Sequence, residues 1–293
     1  MLGIALVALI ASLGLSRASH AQDSLRVVND TTRIQVLRLS DGSVIVGRVL
    51  ELRGDSAVVR TAAGQLTIAR TAVTSVRERP ARSMRGGVYW PEDPNATRLY
   101  FAPTGHMLEQ GEGYFCDIML FLLCLTGGVS DRFTLGGGMS IVPGIDIADN
   151  VFYLTPKIGI VTQEKFGLAV GAFAGWTGAV TDESGSFGIL YGVSSFGDKD
   201  SNFSLGLGWT YYSDDLADTP LVLAGVKLRM TRGSSFVSEN YILPNSEGGI
   251  ISYGVRFFNE RIAGDVGLFR YIGSDSEGQG IGLPFLGLAV KFR

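Results

Sequence analysis

The chain has 293 residues, enough for two ordinary domains or one large β domain, with 46% hydrophobic residues, only 18% charged ones and 40 glycines. A net charge of −3 with no basic patch argues against a nucleic-acid partner. Beyond the N-terminus no run of 18 apolar residues occurs, which argues against a helical membrane protein and leaves a β-barrel allowed.

Residues 1–22 read as a secretory signal. Leu2 to Leu15 form its apolar stretch, and Ala18-Ser-His-Ala21 supplies small residues around a cleavage site before Gln22, although no Lys or Arg precedes Arg17. Export sets the compartment for everything that follows.

From Arg33 to Glu78 short alternating segments are separated by Asp-Gly, Gly-Asp and Ala-Gly turns. Strands of five to nine residues with such punctuation predict a compact five-stranded barrel or roll, placed here in a domain spanning residues 24–78. The element Leu39-Ser-Asp-Gly-Ser-x-Ile-x-Gly47 resembles SH3-like or Sm-like small barrels, and the resemblance implies a fold without an RNA-binding role. Residues 79–95, with Pro80, Pro91, Pro94, Gly86-Gly87 and Arg79, Arg82 and Arg85, read as a solvated linker.

From Ala96 onward, segments of about ten residues alternate in an unusual sense. Phe203, Leu205, Leu207, Trp209 and Tyr211 oppose Asn202, Ser204, Gly206, Gly208 and Thr210; Leu286, Leu288, Val290 and Phe292 oppose Gly287, Ala289 and Lys291. A soluble sandwich would put Lys, Glu and Thr on its outer face. Here one face is bulky and apolar and the other small or polar, which suits a lipid-facing wall around a filled or polar lumen. The expected fold class is therefore all-β: a small periplasmic β-barrel domain followed by an antiparallel, up-and-down transmembrane β-barrel over residues 96–293.

Twelve strands are predicted, near 97–102, 113–125, 132–142, 151–161, 166–176, 186–196, 201–212, 220–230, 235–242, 250–258, 261–271 and 282–293. Alternate connectors, 103–112, 143–150, 177–185, 213–219, 243–249 and 272–281, carry Glu109, Glu112, Asp146, Asp149, Asp182, Glu183, Asp214, Asp215, Asp218, Glu247, Asp275 and Glu277 and no Lys or Arg. The other connectors are shorter and mixed in charge. Long acidic loops on one rim and tight turns on the other fit an outer and a periplasmic side. Aromatic residues near predicted strand ends, Tyr100, Tyr114, Trp176, Tyr211, Tyr212, Phe257, Phe258, Phe269 and Tyr271, suit headgroup girdles.

Several segments, Thr97-Arg-Leu-Tyr-Phe-Ala-Pro-Thr-Gly105, Gly111-Glu-Gly-Tyr-Phe115, Phe133-Thr-Leu-Gly-Gly-Gly-Met139 and Val237-Ser-Glu-Asn-Tyr241, resemble uncharacterised bacterial outer-membrane β-barrel proteins. The resemblance implies an outer-membrane location and no particular activity. The ending Val290-Lys-Phe-Arg293 resembles the aromatic-terminated signal read by the barrel assembly machinery, with Phe292 penultimate instead of last.

Alternation points Lys157, Lys227, Arg229, Arg256, Asp265 and Lys291 into the lumen, with Asp117 and Glu239 as companions. Glu239 is placed inside because a carboxylate facing lipid is costly, although its neighbours Val237 and Tyr241 would suit lipid. These charges admit an ion-paired plug that makes the barrel a structural anchor, or a narrow path for small anions. A hydrolase is the third reading. It rests on His106, expected in an acidic outer loop near Glu109 and far from any Ser, so no catalytic residue is assigned. Cys116 and Cys124, read within one strand, would lie roughly 26 Å apart and could not pair. No cofactor or metal is expected. The expected partners are outer-membrane lipids and lipopolysaccharide, the assembly machinery, and a periplasmic or cell-wall partner of residues 24–78.

Overall fold

The computed structural model describes residues 25–177, 186–213, 215–244, 248–273 and 282–292, without the side chains of Arg82 and Ala148. The expected signal segment 1–22 lies outside them, as do Asp182, Glu183, Asp214, Glu247, Asp275 and Glu277. No described helix is long and apolar enough to cross a membrane. The chain divides into two compact units, Met1–Trp90 and Pro91–Arg293.

In the first unit, β1 (Arg33–Leu39), β2 (Val44–Arg53), β3 (Ser56–Thr61), β4 (Gly64–Ala69) and β5 (Val73–Pro80) form one antiparallel sheet in the order β4-β3-β2-β1-β5. Alternation along these strands brings Leu37, Val49, Ala57, Val59, Ile68 and Val73 together with Leu25 as a core. Turn chemistry matches the sequence. Asp41 accepts the Ser43 amide across the β1–β2 turn, where Gly42 has φ +86°, and this bond holds the Asp41 carboxyl below the ordinary carboxylate range. The β1–β2 ladder ends at Gln35 and Gly47, and beyond it the buried Gln35 side chain accepts the Val49 amide at 3.2 Å while donating to the Arg26 carbonyl. A two-residue hairpin, β6 (Met84–Arg85) with β7 (Val88–Tyr89), follows and turns on Gly86 and Gly87. Residues 79–90 thus belong to this unit and 91–95 to the second, so the predicted linker is folded at both ends.

The second unit is a closed antiparallel barrel of twelve strands. β8 (Gly113–Ile118), β9 (Leu122–Ser130), β10 (Phe133–Ser140), β11 (Val151–Thr162), β12 (Phe166–Thr177), β13 (Phe187–Gly197) and β14 (Asn202–Tyr212) pair in sequence. The two-residue β15 (Asp215–Leu216) extends β14 at one rim. β16 (Leu221–Thr231), β17 (Ser234–Ile242), β18 (Gly249–Phe258), β19 (Ile262–Ile272) and β20 (Leu283–Lys291) continue the wall, and β20 closes on β8 from Gly287↔Ile118 to Lys291↔Tyr114. Along β14 the sides separate as alternation requires: Phe203, Leu205 and Leu207 are exposed, and Asn202 and Ser204 are buried. The same split recurs around the wall, with Leu135, Ile158, Ile160, Val170, Leu190, Leu228, Val266, Leu286 and Leu288 outward. An exterior of this kind is stable only in lipid, and the fold is a transmembrane β-barrel.

The strand count of twelve holds, but two strands at the start are not those predicted. Residues 97–102 form no wall strand. They make one isolated bridge, Arg98↔Pro103, in a buried segment. Residues 113–125 are two strands joined by a tight turn in which Met119 and Leu120 have φ of 59° and 66°. The fold-back places Cys116 directly opposite Cys124, with Cα atoms 4.9 Å apart and the sulfurs bonded, which overturns the expectation that they cannot pair.

This shift also moves 103–112 off the loop rim. Of the described connector acids, Asp146, Asp149, Asp215 and Asp218 stay on that rim, which carries no Lys or Arg among its described residues, while Glu109 and Glu112 lie at the opposite end, where β8 begins. The turns on that second rim are short and mixed, as predicted. Four residues expected in aromatic girdles are instead interior: Tyr100, Tyr114 and Phe258 are buried in the lumen core, and Phe269 packs against it.

Candidate functional site

The lumen is filled by the chain itself. Residues 91–112 enter from the rim of short turns, run inward to a tip at Leu99–Ala102, and return to the same rim to begin β8. Leu99 and Tyr100 are fully buried, and Tyr100 packs on Phe285 and Phe269 with ring centroids 4.6 and 5.5 Å away. Two wall glycines make room for it: a β-carbon on Gly254 or Gly267 would strike the Tyr100 hydroxyl. That hydroxyl donates to the Val237 carbonyl at 3.1 Å.

A segment without a ladder has backbone groups to satisfy, and inward side chains of the wall satisfy them. Glu239 is the acceptor for the tip. Its Oε2 takes the amides of Tyr100, Phe101 and Ala102 at 2.8, 3.0 and 3.0 Å, and its Oε1 takes the Tyr241 hydroxyl at 2.6 Å. Val237 and Tyr241, expected to suit lipid, therefore face inward with it.

Arg256 is the main donor. Its guanidinium is fully buried and reaches the carbonyls of Asn95, Arg98 and Leu99 while pairing with Asp265 at 2.6 Å and Asp93 at 3.0 Å. Five planar donors in a fixed fork suit this task better than an ammonium. Lys227 pairs with Asp93 at 3.4 Å and donates to the Ala96 carbonyl. Arg229 reaches the Pro91 carbonyl and Asp200, both at 2.9 Å, and stacks 4.3 Å from the Phe258 ring centroid.

The returning arm is held differently. Lys157 donates to the carbonyls of His106 at 2.7 Å and Thr104 at 3.2 Å, and Ser195 Oγ accepts the Gly105 amide at 2.8 Å. Near the rim Lys291 pairs with Glu112, and backbone bonds from Gly111 to Gly128 and from Gly128 to Glu112 merge the arm into the wall.

Seven of the eight predicted lumen charges, Lys157, Lys227, Arg229, Glu239, Arg256, Asp265 and Lys291, thus touch the plug or a residue that does. Asp117 does not. It lies directly opposite Leu288, an exposed outward residue, and so shares the outer face. There it borders a groove with Leu120, Phe257, Gly264, Leu286 and Leu288. Its neighbours Cys116 and Tyr114 take the inward positions.

Sequence reasoning missed Asp93, Asn95, Arg98 and His106 as interior groups. Asp93 and Asn95 sat in the presumed linker, where Pro91 and Pro94 signal extended chain and say nothing about what surrounds it. His106 is not in a solvated loop: it is 4% exposed, and its Nε2 has no hydrogen-bond partner among the described residues. That nitrogen reaches no hydroxyl, so no Ser-His pair forms there. No group of metal-ligating side chains occurs among the described residues.

Fold and interior together define a plugged transmembrane β-barrel. No family model matches the sequence, and no curated protein matches it. Among solved structures, the chain is similar to the outer-membrane-expressed OmpT of Vibrio cholerae, at 10% identity and TM-score 0.32, covering 91% of this chain and 100% of that one. It is similar to the loop L8 deletion mutant of the same protein, at 11% identity and TM-score 0.32, covering 89% and 97%. The Salmonella typhi OmpF complex with daunomycin gives 9% identity and TM-score 0.32, covering 89% and 95%.

Proposed function

We propose that the protein is an exported outer-membrane barrel, closed by its own chain, that anchors a small SH3-like or Sm-like β domain on the periplasmic side. The observation that carries this reading is the filled lumen. Inward Lys and Arg, which in an open barrel would favour anions, here donate to plug carbonyls and pair with Asp93, Asp265 and Glu112. An interior whose charges are paired in this way supports a structural barrel over a standing channel. The orientation follows from the rims: the chain enters at the short-turn rim, and the described acidic loops lie at the other, where divalent ions would link them to lipopolysaccharide. Residues 24–78 are the part available for a periplasmic or cell-wall partner.

The test is conductance of the full chain in planar bilayers at neutral pH, with its heat-dependent gel mobility measured in parallel. The folded, heat-shifting protein is expected to show no steady current. A stable open pore under those conditions would refute the closed barrel.

A further inference from the structure

The two arms of the plug are fixed by different chemistry. The entering arm is held by ion pairs, with Asp93 set between Lys227 and Arg256. Around its midpoint the returning arm depends on three consecutive residues: the Thr104 and His106 carbonyls on Lys157, and the Gly105 amide on Ser195, whose hydroxyl lies 2.6 Å from that of Ser204. Gly105 also abuts Gly167 so closely that a β-carbon on either would collide with the other's backbone. The arm sits flush on the wall with no slack to adjust.

His106 stands in the middle of this hold. It is buried, and its Nε2 has neither donor nor acceptor among the described residues. The charged groups that act on it come from three places: Lys157 on β11, Lys227 on β16, and Lys199 with Asp198 in the β13–β14 turn. Three cations against one carboxylate tolerate a neutral imidazole. An imidazolium there would be a buried charge among cations, and its Nε2–H would have no acceptor among the described residues.

We propose that His106 is a proton-operated latch: protonating it expels the returning arm and opens a path for small anions along the β10–β13 side of the lumen. The preference for anions follows from what the arm leaves behind. Lys157 on β11 loses both carbonyls, so that side gains an uncovered cation, while Asp93 stays paired in the entering arm. The inference rests on the reading of a lumen closed at neutral pH and adds a condition under which it conducts.

The experiment uses the full chain in planar bilayers under a potassium chloride gradient, acidified stepwise and returned to neutral, with the heat-shifted band assayed at each pH. The expected result is no current at neutral pH, reversible openings on acidification, and a reversal potential on the chloride side. His106→Gln is expected to keep the heat-shifted band and lose the acid-evoked current. Lys157→Gln is expected to open at less acidic pH with weaker chloride preference. Equal acid-evoked current in His106→Gln, a potassium-selective current, or loss of the heat-shifted band over the same pH range would each overturn the latch. A protein closed at every pH would overturn it too while leaving the anchored-barrel reading intact, whereas steady current at neutral pH would overturn that reading first.

Discussion

Arg256 shows how much one interior side chain carries. It joins two carboxylates and three plug carbonyls with no solvent to replace any of them. Removing one partner of such a network leaves the others charged and unpaired, a cost of about 3–5 kcal/mol. Arg256→Met is therefore expected to lower markedly the temperature at which the heat-shifted form is lost, and Asp93→Asn to do so less, since Asp265 still pairs with Arg256; an unchanged midpoint in Arg256→Met would count against the network. Glu239→Gln removes the charge that serves three amides at once and is expected to cost about 1.5–3 kcal/mol by the same assay. The inward parity of these residues is readable from alternation alone, because positions two apart share a face whatever fills the barrel. Their partners are not readable. Asp93 and His106 lie far away in sequence, in stretches whose local pattern suggests a tether and a loop.

At the scale of elements, the β8–β9 hairpin shows where periodicity fails. Residues 113–125 alternate as one strand would, and Met119-Leu120 carries none of the Asn or Gly chemistry that marks a two-residue turn. Both residues nevertheless take left-handed φ, a strain of about 1 kcal/mol or more at each. Placing Asn at 119 and Gly at 120 is expected to raise the midpoint for loss of the heat-shifted form, and a lower midpoint would show that Met119's packing on the lumen core outweighs the strain. Merging the two strands in the sequence reading hid the Cys116–Cys124 pair. The stretch 97–102 misleads for a related reason: a plug whose amides and carbonyls are taken by wall side chains can carry the same apolar alternation as a strand.

For the whole molecule, fold class was legible because a lipid-facing wall inverts the soluble pattern in strand after strand, whereas the count of twelve came out right because a false strand at 97–102 offset the merging of β8 with β9. That the lumen is full was not legible, since the filling segment has no period of its own. The account therefore stands on the plug, and amide hydrogen exchange of the full chain in detergent tests it most directly. Tyr100, Phe101 and Ala102 are predicted to exchange as slowly as the β14 ladder amides from Leu205 to Leu207, because the buried Glu239 carboxylate accepts all three. Exchange of those three at the rate of an open loop, in protein that still shifts on heating, would mean an empty lumen and would contradict the account.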